Sequence, residues 1–112
     1  MFVTIATLDR VMSAVADPTR RAIIDRLARG SARAGDIAAP FAISFPAISR
    51  HLKVLEDAGL VTRARSGREH VLSLDARPLA ELAGWASRYE RFWTQRLDRL
   101  EQHFTKLPKE PK

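Results

Sequence analysis

Ile43-Ser44-Phe45-Pro46-Ala47-Ile48-Ser49-Arg50-His51-Leu52-Lys53-Val54-Leu55-Glu56-Asp57-Ala58-Gly59-Leu60 is the stretch on which the reading of this chain turns. It reads as one helix with both ends marked. Ser44 is placed to cap the N-terminus, its hydroxyl accepting a free backbone N–H of the first turn. Pro46 falls in that turn, where a missing N–H costs nothing. Gly59 suits the left-handed position that closes a helix, and Leu60 and Leu55 would pair as the apolar contact of a Schellman closure. Ile48, Leu52 and Leu55 recur at i, i+4 and i+7, which makes one buried stripe.

Away from that stripe lie Ser49, Arg50 and Lys53, with Ser44, Phe45 and Pro46 at the leading end. Small, hydroxylic and basic residues on an exposed N-terminal half suit a helix that enters the DNA major groove. Small side chains permit close approach, and arginine forks onto guanine O6 and N7. The helix by itself equally fits an ordinary amphipathic helix with a solvated basic face, so its neighbours decide.

Immediately upstream, Ala34 to Ala39 reads as a short helix with Ile37 and Ala38 inward. Pro40 ends it, and Phe41 and Ile43 anchor the turn that follows. Short helix, tight turn and longer capped helix make a helix-turn-helix, in which the first helix braces the second across the groove. Earlier still, Asp17-Pro18 marks a helix start that runs to about Ala28, with Ile23, Ile24 and Leu27 on its core face and Gly30 as the stop. A first helix from about Thr7 to Val15 carries Leu8, Val11, Met12 and Val15 at helical spacing.

Downstream of Gly59 the period changes. Val61 to Arg65 and Glu69 to Leu74 read as two short strands joined by a turn at Ser66-Gly67. A hairpin directly behind such a helix is a wing. Arg63, Arg65 and Arg68 are expected at its tip, in reach of neighbouring DNA backbone or minor groove. Basic residues on a hairpin also serve to discourage edge pairing. Arg77 to about Phe104 reads as one long last helix. Leu82, Trp85, Ala86, Tyr89, Phe92, Trp93, Leu97, Leu100 and Phe104 give it a broad apolar face, more than a 112-residue chain can hide in its own core. The surplus predicts an interface. The fold class is therefore mainly α with a small β-hairpin: a winged helix-turn-helix of about five helices and a two-stranded wing.

The run from Ser44 to Val61 resembles the recognition helix and exit turn of the arsenical-resistance-regulator (ArsR) family of winged helix-turn-helix transcription regulators, and the likeness extends from about Leu8 to about Leu100. The resemblance implies a two-fold dimer built from the first and last helices. It assigns Leu8, Val11, Met12, Trp85, Tyr89, Phe92, Trp93, Leu97 and Leu100 to the interface. It also places the start of the second helix near the DNA backbone, with Arg20 or Arg21 as a phosphate contact. Ser44, Phe45, Pro46, Ser49 and Arg50 are then the expected base-edge or close groove contacts. Lys53, His51 and the wing arginines Arg63, Arg65 and Arg68 are the expected phosphate contacts. Many members of the family sense metals through cysteines near the recognition helix or through His and carboxylate ligands on the last helix. This chain departs from both patterns. It has no cysteine, and none of its three histidines, His51, His70 and His103, pairs with another histidine or a carboxylate at i,i+3 or i,i+4 spacing, apart from weak matches such as Glu101 with His103. No metal and no cofactor is expected, and a small-molecule effector stays open.

Composition agrees. A net charge of +6 favours a polyanionic partner. The absence of cysteine removes disulfides, thiolate metal sites and cysteine nucleophiles together. No Gly-rich phosphate loop, nucleophile elbow or paired His/Cys arrangement is present, so no enzymatic reading has support. Met1 to Leu8 is apolar but lacks a basic leader and is cut short by Asp9-Arg10, which fits neither a signal peptide nor a membrane span. A cytoplasmic protein is expected. Length predicts one domain, residues 1–107, with a disordered polar tail at 108–112. The expected function is sequence-specific double-stranded DNA binding by a homodimer that reads an inverted repeat and represses by promoter occlusion. Two rivals remain: a winged-helix protein-interaction module, and a sequence-blind DNA-coating protein.

Overall fold

The computed structural model describes the backbone of residues 5–106. In chain order it forms α1 (Ile5–Val15), α2 (Pro18–Ala28), β1 (Ala32–Arg33), α3 (Ala34–Ala38), α4 (Phe45–Asp57), β2 (Val61–Ser66), β3 (Glu69–Leu74), α5 (Arg77–Ser87) and α6 (Glu90–Lys106). The chain groups into two compact units, Met1–Leu82 and Ala83–Lys112. The expected tail at 108–112 lies outside the described residues, as do the side chains of Trp93 and Phe104.

Local chemistry sets the helix ends. Asp17 accepts the Arg20 N–H at 2.9 Å and Pro18 opens α2, so a first-turn donor is satisfied and a missing one does no harm. Ser44 Oγ accepts the Ala47 N–H at 3.3 Å at the start of α4. At its other end Gly59 takes φ 77. The Gly59 N–H bonds the Glu56 carbonyl and the Leu60 N–H bonds the Leu55 carbonyl, each at 3.0 Å. That pair of bonds is a Schellman closure, and Leu55 and Leu60 are both fully buried behind it.

In the first unit, Val11 and Ala14 of α1, Ile23, Ile24 and Leu27 of α2, Ile37 of α3 and Ile48, Leu52 and Leu55 of α4 converge with Leu60, Val61 and Leu72. No polar or charged side chain is buried among the described residues. Phe41 packs against this core, whereas Ile43, expected to anchor the same turn, is largely exposed.

Three features differ from the sequence reading. The wing belongs to a three-stranded antiparallel sheet of order β1-β3-β2, with Ala32 opposite Leu72 and Arg33 opposite Val71. A strand as short as β1 carries no alternation to read. The hairpin turn falls at Gly67-Arg68, one residue later than expected, because Ser66 still pairs with Glu69. Gly67 takes φ 64, the conformation a two-residue turn of type II′ requires at its first central position. Finally, the long last helix is two helices. Ser87 Oγ donates to the Gly84 carbonyl at 2.9 Å, the oxygen that the Arg88 N–H would take in an unbroken helix. Arg88 bonds Trp85 instead, and Tyr89 bonds Ala86. A serine that back-bonds to its own helix competes with the ladder, and the neighbouring glycine lowers the cost of the break.

Candidate nucleic-acid interface

The stripe of Ile48, Leu52 and Leu55 commits one face of α4 to the core, so the other face is set by geometry alone. Ser44, Phe45, Pro46, Ser49, Arg50 and Lys53 are all exposed on it. Lys53 lies 3.1 Å from Asp57 one turn on, an exposed i,i+4 pair of the kind worth a few tenths of a kcal/mol. Such a pair yields readily to a phosphate.

His51 and Arg20 are placed differently. His51 is half-buried on α4, with Nδ1 3.2 Å from Arg20 Nη1 and 3.9 Å from Asp17 Oδ2. Arg20 also donates to the Ala14 carbonyl at 2.7 Å and the Ser13 carbonyl at 3.0 Å. Arg21 donates to the Val15 carbonyl at 2.9 Å. Both arginines therefore cover the C-terminal carbonyls of α1, a favourable place for cations. The Asp17 carboxyl is held below its ordinary range, first by the Arg20 backbone N–H.

In the wing, Val61 faces Leu74, Arg63 faces Leu72 and Arg65 faces His70. Paired residues share a face, so Arg63 and Arg65 emerge on the core-facing side of the sheet as it leaves the core. Arg65 donates to the Gly67 carbonyl at 3.2 Å and, with Arg68, belongs to the exposed tip. Arg63 was expected at the tip but sits near the root. Its Nε and Nη2 donate to the two carboxylate oxygens of Glu56 at 2.8 and 3.1 Å, and that carboxylate holds its pKa above the ordinary value. The sequence reading missed two participants here. Arg33 on β1 lies 2.8 Å from Glu69 at the wing, and no spacing signals it because β1 itself was unforeseen. Glu56 precedes Arg63 by seven residues across a change of secondary structure, which no periodic pattern links.

Of the expected interface residues, Val11 is 1% exposed and belongs to the chain's own core, a correction that follows from its position facing α2 and α4. Leu8 and Met12 are half-buried. Within the second unit, Tyr89, Phe92, Leu97 and Leu100 are each more than half exposed, and Trp85 is 39% exposed. Trp85 and Tyr89 stack at a tilt with ring centroids 5.6 Å apart, and the Arg96 guanidinium lies 4.4 Å from the centre of the Phe92 ring. Among the described residues no group of three or more potential ligands is placed to hold a metal.

A capped helix with an exposed polar and basic face, a short bracing helix and an arginine-tipped hairpin define a winged helix-turn-helix DNA-binding domain. Residues 17–63 match the family described as bacterial regulatory proteins, arsR family. The chain is 45% identical over 89 residues to the HTH-type transcriptional regulator Rv2034 of Mycobacterium tuberculosis, covering 80% of each chain. It is 41% identical over 78 residues to the transcriptional repressor SdpR of Bacillus subtilis, covering 70% of this chain and 87% of that one. The crystal structure of an ArsR family transcriptional regulator superposes with a TM-score of 0.76 at 31% identity, over 84% of this chain and 97% of the other. The chain belongs to the ArsR family, and it is a DNA-binding transcriptional regulator rather than an enzyme.

Proposed function

We propose that this regulator is a homodimeric repressor that reads an inverted repeat and acts by occluding promoter DNA. The observation that carries the proposal is the exposed row of Tyr89, Phe92, Leu97 and Leu100 on and beside α6. A surface this apolar is unfavourable in water and marks an association site. In the first unit, half-buried Leu8 and Met12 on α1 are proposed as further dimer contacts, as is Trp85 within the second. A two-fold axis would present two α4 helices to successive major grooves, with half-sites roughly 34 Å apart. In each, Ser44, Phe45, Pro46, Ser49 and Arg50 take base edges, while Lys53, His51, Arg65 and Arg68 take phosphates. Arg20 and Arg63 belong to the same surface but act through the internal bonds described above. Repression is supported by the likeness to a transcriptional repressor, and occlusion needs no enzymatic step. The place of action is the cytoplasm, where the DNA is. No helix among the described residues is long and apolar enough to cross a membrane.

The test is binding of the purified protein to its own upstream intergenic DNA, with excess random competitor, across a salt series. Protection of an inverted repeat that survives competition supports the proposal. Binding that competitor erases replaces it with DNA coating, and no binding at low salt replaces it with a protein-interaction role.

A further inference from the structure

The last turn of the recognition helix carries an acidic residue that bonds into the wing. Glu56 receives both Nε and Nη2 of Arg63, at 2.8 and 3.1 Å. This two-pronged geometry fixes direction as well as distance. The pair is also more shielded than its neighbours. The side chains of Arg63 and Glu56 are 29% and 21% exposed, against 72% and 61% for Lys53 and Asp57.

Its position gives the pair mechanical leverage. Leu60, Val61 and Leu72 are buried and fix the wing's root. From Thr62 to Ser66 every residue of β2 is exposed, so burial ends where the wing begins to project. Arg63, opposite Leu72, is the first residue past that limit on the core-facing side. Apolar contacts at the root are non-directional, whereas the fork sets an angle. The link from α4 to β2 runs through Gly59 at φ 77, so the fork spans the one left-handed residue in the connection.

We propose that Glu56 is a positioning residue for DNA binding, which through Arg63 fixes the angle at which the wing leaves the recognition helix. The proposal rests on the DNA-binding reading and specifies how the wing is held for it. It makes an inverted prediction of sign. A carboxylate on a DNA-facing helix repels phosphate, so on charge alone its removal tightens binding. If Glu56 holds the wing, its removal weakens binding instead.

Because the chain has no cysteine, a single Ser66→Cys substitution allows one nitroxide label at the wing tip. In that background Glu56→Gln is expected to raise label mobility and to weaken binding to the upstream intergenic duplex and a random duplex by about tenfold, the scale of coupling across a charged pair. The far-UV circular dichroism stays that of the parent. The double variant Glu56→Arg with Arg63→Glu keeps the net charge and reverses the fork, and is expected to recover both label immobility and binding. Unweakened or tighter binding by Glu56→Gln, or failure of the reversed pair to recover either readout, overturns the proposal. A labelled parent that binds neither duplex at low salt overturns the DNA-binding reading and the proposal with it, which separates the two failures.

Discussion

Arg20, on α2, ties two other helices together: Nη1 lies 3.2 Å from His51 Nδ1 on α4, while Nε and Nη2 donate to the Ala14 and Ser13 carbonyls that end α1. Arginine nitrogen only donates, so in this contact His51 accepts at Nδ1. Arg20 thereby orients the recognition helix from behind.

Arg20→Ala is accordingly expected to cost about 1–3 kcal/mol of folding stability, read from urea unfolding. A plain phosphate contact predicts unchanged stability and a shallower salt dependence of DNA binding, and that pair of results would remove the brace.

Ser44 has two roles that substitution separates. Ser44→Ala loses the cap and about 1 kcal/mol of stability, whereas Ser44→Asp keeps it. Ser44→Asp also places a negative charge at the leading end of α4, so it is expected to fold like the parent and bind DNA less tightly. Equal DNA affinity would show that this end of the helix stands away from the groove.

Arg50 and Arg65 are expected to differ in kind. Arg50→Ala weakens the preferred site by roughly 1–3 kcal/mol more than random DNA, while Arg65→Ala weakens all duplexes alike and lowers the salt slope by about one. Competition binding at several salt concentrations distinguishes them. Equal losses on both duplexes for Arg50→Ala would take base reading away from that residue.

Leu97→Glu places a charge in the exposed apolar row of α6 and is expected to give a monomer in sedimentation. A folded dimer of unchanged stability would move the interface elsewhere.

Asp75 gives a pH dependence. Its carboxyl is held down at about 2, chiefly by the Arg77 side chain and then by the Arg77 backbone N–H, against an ordinary value of 3.8. A carboxylate depressed in the folded state stabilises it fully above the ordinary value, and that contribution disappears as pH falls from about 4 toward 2. Thermal melts of Asp75→Asn should therefore lie below the parent at neutral pH and converge with it in that window. A gap that stays constant down to pH 2 would show that the charge contributes nothing.

The elements marked by their own end residues were legible in the sequence. Asp17-Pro18, Ser44 and Gly59 each act within a few residues along the chain, and the helices they bound came out nearly residue for residue. What escaped depends on contacts between distant positions or on a hydroxyl's choice of partner. Arg33 joins the wing only because β1 pairs with β3. Arg63 sits near the root because it pairs opposite Leu72, and its guanidinium is bonded there by Glu56. Arg20 turns inward because α1 ends beside it. The break after Ser87 rests on one side-chain bond to Gly84, and nothing in the apolar period of the surrounding residues announces it.

The wholly apolar core of the first unit separates two variables that are often entangled. Ionic strength acts on charges, and among the described residues no charged side chain is buried in that core; salt bridges at a surface contribute little to folding. Electrolyte concentration therefore acts chiefly on the grip on DNA, while the apolar contacts that hold the first unit together are left as they were.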